Sequence, residues 1–135
     1  TAKDFDIIKK NMTSLIVDAT GEEIFLQIIC NNNYYTNEYS NSSENFDKIS
    51  LIVFDFLKRN NLKLRDLSQI FVNQGPGKFS TIRSSIVVCK ALCFSNNINL
   101  YGFNQNQISQ KNYNNILDLF KKGVLIKNNI KPIYK

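Results

Sequence analysis

The residues with the clearest chemical potential lie in the stretch FVNQGPGKFSTIRSS (71–85), where a strand-like run meets a Gly-Pro-Gly turn and an apolar helix begins. Such a loop can bind phosphate, because a helix N terminus presents unpaired amides. A P-loop, however, requires G-x-x-x-x-G-K-[ST]. Here Phe79 replaces the hydroxyl residue, and Val72 stands five residues before Gly77. The stretch also lacks the third glycine that the dinucleotide-binding fingerprint requires. The spacing favours a structural corner.

The glycines of this turn allow the backbone to change direction sharply. Gly75 and Gly77 can adopt positive φ, and Pro76 fixes its own φ, so the strand can turn sharply. Ser80 or Thr81 can then cap the first amides of the helix. The helix N terminus still attracts anions, and the loop therefore stays a candidate for weak phosphate contacts.

The other reactive side chains predict neither a metal site nor a nucleophile. The chain has no histidine, and Cys30, Cys89 and Cys93 each lie inside an apolar run. Cys89 and Cys93 are one helical turn apart, but no histidine completes the usual zinc ligand set. A Ser or Cys protease likewise needs a histidine or an equivalent base. We therefore expect no metal and no catalytic residue.

Length and composition bound the function class. The chain has 135 residues, of which 43% are hydrophobic and 21% charged, and this predicts one globular domain. Neither a bilayer-spanning run nor a signal-peptide pattern is present, so we expect a soluble cytoplasmic protein. The net charge of +6 permits a nucleic-acid or acidic partner. We interpret the lysine-rich carboxyl end as a solvated tail.

The elements that must position these residues follow from hydrophobic periodicity. Strands are predicted at 14–19, 23–30, 34–40, 70–73 and 98–102, and helices at 44–60, 79–95 and 112–122. The short turns between the first three strands require antiparallel pairing. Three antiparallel strands followed by helix, strand, helix and strand predict one mixed α/β sheet of the ribonuclease H-like type, which is also one lobe of the actin-like ATPases.

The first helix has one apolar stripe that can face the sheet. It consists of Phe46, Ile49, Val53, Phe56 and Leu57. Leu51 and Phe54 lie off that stripe, and Ser42 or Ser43 is the expected N-cap.

The second helix is apolar on nearly every side between residues 86 and 94. We expect part of both helices to remain exposed and to form a partner surface. The candidate interface residues are Leu51, Phe54, Ile82, Arg83, Ile86, Val87, Lys90 and Phe94. The alternative is that the carboxyl-terminal helix covers these faces.

The central segment resembles the signature of the TsaB family, also called YeaZ, which reads roughly G-x-G-P-G-S-F-T-G-x-R-x-G. Five residues fall on its positions: Gly75, Pro76, Gly77, Phe79 and Arg83. SLIVDAT (14–20) is similar to the family's opening strand, with Asp18 and Thr20 in register, and IKPIYK (130–135) matches its proline-x-tyrosine end.

Some positions depart from the family pattern. Ser80 stands where Thr is usual, Thr81 and Ser85 replace glycines, and Asn45 and Phe46 occupy the place of a common His-Ser pair. The chain also resembles only about the first half of a typical member plus its end. We interpret residues 1–135 as a single amino-terminal lobe with the family's carboxyl-terminal helix and strand, lacking most of the second lobe.

The resemblance implies a role in tRNA modification without catalysis. TsaB proteins are catalytically degenerate relatives of TsaD, the enzyme that forms N6-threonylcarbamoyladenosine at position 37 of certain tRNAs. The implied partners are a TsaD-like catalytic subunit and a TsaE-like ATPase, with a homodimer in their absence. The resemblance implies no cofactor, and the family's older description as glycoproteases has no support in these residues.

Two alternatives remain. In the related ATPases an acidic residue at the end of the first strand helps to position magnesium and phosphate. A stand-alone ATPase would therefore bind ATP and magnesium through vestigial contacts at Asp18, Thr20, Gly75, Gly77, Ser80 and Thr81. A small RNA-binding protein is the other, supported only by Tyr34, Tyr35 and the lysine tail.

Overall fold

A mixed five-stranded sheet organises the chain. The computed structural model describes residues 13–42, 44–45, 47–77, 79–108 and 112–134. The strands are β1 (Ser14–Asp18), β2 (Glu23–Cys30), β3 (Asn33–Ser40), β4 (Gln69–Asn73) and β5 (Asn99–Phe103). Their order is β3-β2-β1-β4-β5. The first three are antiparallel, and β4 and β5 run parallel to β1, which confirms the predicted ribonuclease H-like sheet.

Helices cover both faces of the sheet. The elements α1 (Ile49–Arg59) and α2 (Thr81–Asn96) enclose one apolar core against β1, β2 and β4. The short α3 (Ile116–Lys121) lies on the opposite face, over a second core that includes Phe71 and Phe103. No helix among the described residues is long and apolar enough to span a membrane.

The tight turn between β2 and β3 fixes the register of the meander. Asn31 and Asn32 have φ values of 51° and 67°. Two successive residues in this region make a type I′ turn, whose twist matches that of the flanking strands. Asparagine tolerates this backbone better than most residues, so the Asn run predicts the hairpin.

Helix α1 begins later than predicted. Its first residue is Ile49 and its N-cap is Lys48, so the predicted start at 44 and cap at Ser42 are wrong. The residues before it form two successive turns, with Asn45 N–H bonded to the Ser42 carbonyl at 3.0 Å and Lys48 N–H bonded to the Asn45 carbonyl at 3.1 Å. The Asn45 side chain also donates to the Ser40 carbonyl at 2.6 Å. These local bonds compete with helix formation.

The predicted apolar stripe of α1 is confirmed over the described residues. Ile49, Val53, Phe56 and Leu57 are buried, whereas Leu51 and Phe54 are exposed. Phe46 and Ser43, the remaining stripe and cap candidates, lie outside the described residues.

The carboxyl-terminal helix is shorter than predicted. A 3₁₀ turn at Tyr113–Asn115 precedes α3, because the Asn112 side chain accepts from the Asn114 amide at 3.2 Å and holds a tighter first turn. The segment packs on the sheet face opposite α1 and α2. The alternative in which it covers those helices is therefore wrong.

The two phenylalanines of α1 give a matched test of this packing. Replacing buried Phe56 with Ala should lower the free energy of unfolding by about 3–5 kcal/mol, because it leaves a cavity in the core. Replacing exposed Phe54 with Ala should change it by less than about 0.5 kcal/mol. Urea unfolding followed by circular dichroism measures both. Equal losses would contradict the assigned helix register.

Candidate functional site

The carboxylate of Asp18 lies buried at the carboxyl end of β1 and is surrounded by donors from its own chain. Its Oδ1 accepts from the Thr20 amide at 2.9 Å and the Thr20 hydroxyl at 2.6 Å. Its Oδ2 accepts from Asn73 Nδ2 at 3.0 Å and from the Tyr113 hydroxyl at 2.5 Å. Both oxygens are thus satisfied twice without a metal or a ligand.

Gln105 closes the network. Its Oε1 accepts from Asn73 Nδ2 at 3.1 Å, and its Nε2 donates to the Thr20 hydroxyl at 3.1 Å. We refer to Asp18, Thr20, Asn73, Gln105 and Tyr113 as the Asp18 cluster. Its members come from β1, the turn after β1, β4 and the segments that follow β5, so the cluster joins distant parts of the chain.

The sheet topology explains how the cluster forms. Val17 of β1 pairs with Val72 of β4 in parallel register, so Asp18 and Asn73 leave the sheet side by side. Tyr113 reaches them from the side of the sheet that α3 covers. Its ring stacks there on Phe25, with the ring centroids 4.2 Å apart. Parallel register makes Asn73 predictable in hindsight, but no local pattern in the sequence marks Tyr113 or Gln105.

The environment keeps the Tyr113 phenol protonated. Burial raises its pKa well above the usual 10.0, and the charge of Asp18 and the hydrogen bond to it raise the pKa further. The phenol therefore acts as a permanent donor to the carboxylate at neutral pH.

The Gly-Pro-Gly corner is filled by protein. Gly75 has a φ of 108°, and its amide donates to Asn73 Oδ1 at 2.9 Å. A Cβ atom on Gly75 would lie 2.5 Å from the Ile133 carbonyl oxygen, and one on Gly77 would lie 2.8 Å from the Thr20 carbonyl oxygen. The glycines permit close approach of neighbouring backbone segments, in agreement with a structural corner.

The carboxyl-terminal segment is one of those neighbours. The Ile133 amide donates to the Gln74 carbonyl at 2.7 Å, and Gln74 Nε2 donates to the Lys131 carbonyl at 3.0 Å. Tyr134 forms a β-bridge with Gly77. The carboxyl-terminal segment that resembles the family's proline-x-tyrosine end thus packs across the corner.

The structure brings five of the six residues predicted to contact a nucleotide together, and each of the five contacts other groups of the protein. Asp18 and Thr20 join the cluster, and Gly77 packs against Thr20. Thr81 is buried and donates to the Ala19 carbonyl at 3.2 Å. Ser80 precedes α2 as an exposed residue and makes no side-chain cap, so neither capping prediction for α2 holds.

A small cavity lies beside the cluster. Its volume is about 260 Å³, and its lining includes Asp18, Glu23, Phe25 and Ile108. Small-molecule sites usually measure roughly 300–1,000 Å³ and offer free polar groups. Here the carboxylate has no free acceptor direction, so the geometry suits a structural cluster better than a nucleotide site.

The outer faces of α1 and α2 carry an exposed apolar surface, in contrast to the buried polar groups of the Asp18 cluster. Leu51, Phe54, Val87 and Phe94 are exposed to 64%, 47%, 59% and 92%. Arg83 and Lys90 are also exposed and occupy the same face of α2 at helical spacing. We call these six residues the helical patch.

Two predicted interface residues do not belong to this patch. Ile82 and Ile86 are buried in the core beneath α2, so their inclusion in the interface was wrong. Both lie on the stripe that faces the sheet, and the all-round apolar composition of α2 hid the difference between its two faces. An open groove of about 560 Å³ lies beside the patch, and Ile49, Arg83, Val87 and Val88 contribute to its lining.

Cys89 and Cys93, the two cysteines of α2, are poorly reactive because they are buried. Burial raises the pKa of Cys89 strongly, and burial raises the pKa of Cys93 to about 12. Both thiols are therefore protonated and poorly nucleophilic at neutral pH. Among the described residues, no three His, Cys, Asp or Glu side chains are placed to hold a metal ion.

Comparison with protein families and solved structures gives a consistent pattern. The family model for tRNA N6-adenosine threonylcarbamoyltransferase, TsaD, matches residues 40–113, more than half of the chain. YeaZ from Pseudomonas aeruginosa superposes with a TM-score of 0.66 at 18% identity, over 82% of this chain and 50% of that one. A second Pseudomonas aeruginosa protein, described as uncharacterized with similarity to peptidase YeaZ, superposes with a TM-score of 0.62 at 20% identity. The match covers 68% of this chain and 43% of that one.

A more distant structure shares the fold. Thermus thermophilus RuvC in complex with a Holliday junction superposes with a TM-score of 0.51 at 12% identity, over 71% of this chain and 65% of that one. No curated protein matches the sequence significantly. The chain spans about half the length of the YeaZ structure, so the likeness concerns one half of that protein.

The Tyr113 hydrogen bond should be visible in the pH dependence of stability. Replacing Tyr113 with Phe removes a donor to a buried carboxylate and should lower the free energy of unfolding by about 1.5–3 kcal/mol near pH 7. Because folding raises the pKa of Tyr113, its contribution is complete below pH 10 and is lost above it. The difference between wild type and variant should therefore shrink above about pH 10. A difference that stays constant from pH 7 to 11 in urea titrations would contradict this role.

Proposed function

The chain belongs to the tRNA N6-adenosine threonylcarbamoyltransferase family, and from that premise we propose that it is a non-catalytic subunit of tRNA modification. In this role it binds a TsaD-like catalytic subunit through the helical patch. Its contribution is to hold the catalytic subunit in an active arrangement for N6-threonylcarbamoyladenosine formation. A TsaE-like ATPase is the further partner, and the cytoplasm is the proposed location.

The exposed helical patch is the observation that carries this proposal. The four apolar side chains of the patch project from two neighbouring helices on one side of the sheet. Apolar surface of this kind is costly in water and is typical of docking sites. Arg83 and Lys90 supply the polar rim that such interfaces usually have. Helices from each subunit would then form a four-helix interface with an apolar centre.

The Asp18 cluster supports a non-catalytic role. A divalent cation at Asp18 would have to displace Tyr113 or Asn73, and each displaced side chain would lose a buried hydrogen bond. The corner that could receive phosphate is instead packed against Thr20 and Ile133. No observation on the described residues favours the ATPase alternative.

The RNA-binding alternative gains little from the structure. Tyr34 and Tyr35 alternate along β3 and point to opposite faces of the sheet, so they do not form one stacking platform. Lys127 lies 5.7 Å from the centre of the Tyr101 ring, on β5 at the edge of the sheet opposite β3. These groups do not converge on one strip that could follow an RNA strand.

A charge placed in the patch should weaken the complex. Replacing Val87 with Glu introduces a carboxylate that must be desolvated on docking, and we expect the dissociation constant for the TsaD-like subunit to rise at least about tenfold. Surface plasmon resonance with purified subunits measures this change. Formation of threonylcarbamoyladenosine in a reconstituted reaction should fall in parallel.

Val124 provides the matched control. It is exposed to 52% and lies outside the patch, three residues beyond the last residue of α3. Val124 to Glu adds the same charge to a surface of similar exposure and should leave affinity unchanged. Equal weakening by both substitutions, or by neither, would contradict docking through the patch.

A further inference from the structure

A second groove lies at the carboxyl-terminal end of α1. Its volume is about 590 Å³, and its lining includes four apolar side chains and two lysines: Phe54, Leu57, Leu62, Leu64, Lys58 and Lys63. We call this feature the α1-end groove. Among the described residues, it shares none with the groove beside the helical patch, and Phe54 alone belongs both to it and to the patch.

The end of α1 builds the floor of the groove from the sequence KRNNL (58–62). Asn61 has a φ of 57°, and its amide donates to the Lys58 carbonyl at 3.1 Å. The Leu62 amide donates to the Leu57 carbonyl at 2.9 Å. These are the two bonds of a Schellman motif, which ends a helix at a left-handed residue and returns the next apolar side chain to it. Leu62 accordingly packs against the core beneath α1.

Two lysines without an acidic partner line this apolar floor. Lys58 and Lys63 are both exposed. The nearest carboxylates along the chain have other contacts, since Asp55 pairs with Arg59 at 2.9 Å and Asp66 accepts from the Lys63 amide at 2.8 Å. Across the part of the chain that the structure describes, neither ammonium has a carboxylate within ion-pair distance. The groove therefore combines apolar contact area with uncompensated positive charge.

We propose that the α1-end groove binds an acidic segment of another protein. Apolar side chains of that segment enter the groove, while neighbouring carboxylates pair with Lys58 and Lys63. Charge complementarity selects this partner, because a neutral or basic segment leaves both lysines unpaired beside a desolvated contact. A nucleic acid would place its phosphates against an apolar floor. The net charge of +6 adds long-range attraction for an acidic partner. This site does not depend on the proposed role in tRNA modification.

A synthetic peptide tests the charged part of the site. The probe is a fluorescein-labelled peptide in which glutamate alternates with leucine, and fluorescence anisotropy with the full chain measures its dissociation constant. Replacing both Lys58 and Lys63 with Gln should raise that constant at least about tenfold, because both ion pairs are lost. Replacing Lys121 and Lys131 with Gln is the matched control. It removes the same charge from exposed positions outside the groove and should change the constant less than about twofold.

The apolar part of the site has a separate test. A second peptide with serine in place of leucine keeps every carboxylate and should bind at least about tenfold more weakly, because it buries no apolar side chain. Phe54 to Ala should weaken binding of the leucine peptide in the same direction, since it removes one wall of the groove. Circular dichroism confirms that each variant is folded. No catalytic subunit is needed, so these results are independent of docking through the helical patch.

Several results would overturn the proposal. They are no binding of the leucine peptide by the full chain, equal weakening by the two lysine pairs, and equal affinity for the leucine and serine peptides. Displacement of the peptide by single-stranded RNA of equal total charge would assign the groove to nucleic acid instead. An oligomer of the chain that dissociates only when Lys58 and Lys63 are replaced would place a second copy there, and sedimentation velocity detects it.

Discussion

The bonds to the Asp18 carboxylate are the constraint on which the rest of the structure depends. Because its two oxygens receive four hydrogen bonds, the carboxyl ends of β1 and β4 and the Tyr113 segment are held at one point. Two further residues contact the chain next to Asp18. The Thr81 hydroxyl donates to the Ala19 carbonyl, and Gly77 packs against Thr20. The corner can therefore turn tightly and start α2 directly over the sheet.

This arrangement divides the molecule into a closed side and an open side. At the strand ends, where α/β proteins often bind ligands, the chain's own side chains and carboxyl-terminal segment occupy the available polar positions. On the outer faces of α1 and α2, large apolar side chains remain in water. Closure at the strand ends and exposure on the helices are the two observations on which the proposed binding role without catalysis rests.

The sequence predicts those parts of the fold that depend on local pattern. The Asn-rich turn, the β-branched and aromatic run of β2 and the stripe through Val53 and Phe56 each follow from composition, spacing and backbone preference. The start of α1 does not, because Asn45 bonds locally and delays the helix until Ile49. The burial of Ile82 and Ile86 could not be separated from the exposure of Val87, since α2 is apolar around most of its circumference.

The site was predictable only in part, because local sequence patterns do not show contacts between distant segments. Asp18 and Thr20 stand at a recognisable strand end, but Tyr113, which bonds to Asp18, is 95 residues away from it and comes from a segment with weak periodicity.

The most direct test of the account is methyl NMR of the chain titrated with the TsaD-like subunit. The account predicts that signals of Leu51 and Val87 change while those of Val124 and Leu125 do not. Changes confined to Val124 and Leu125, or no change at all on titration, would contradict it.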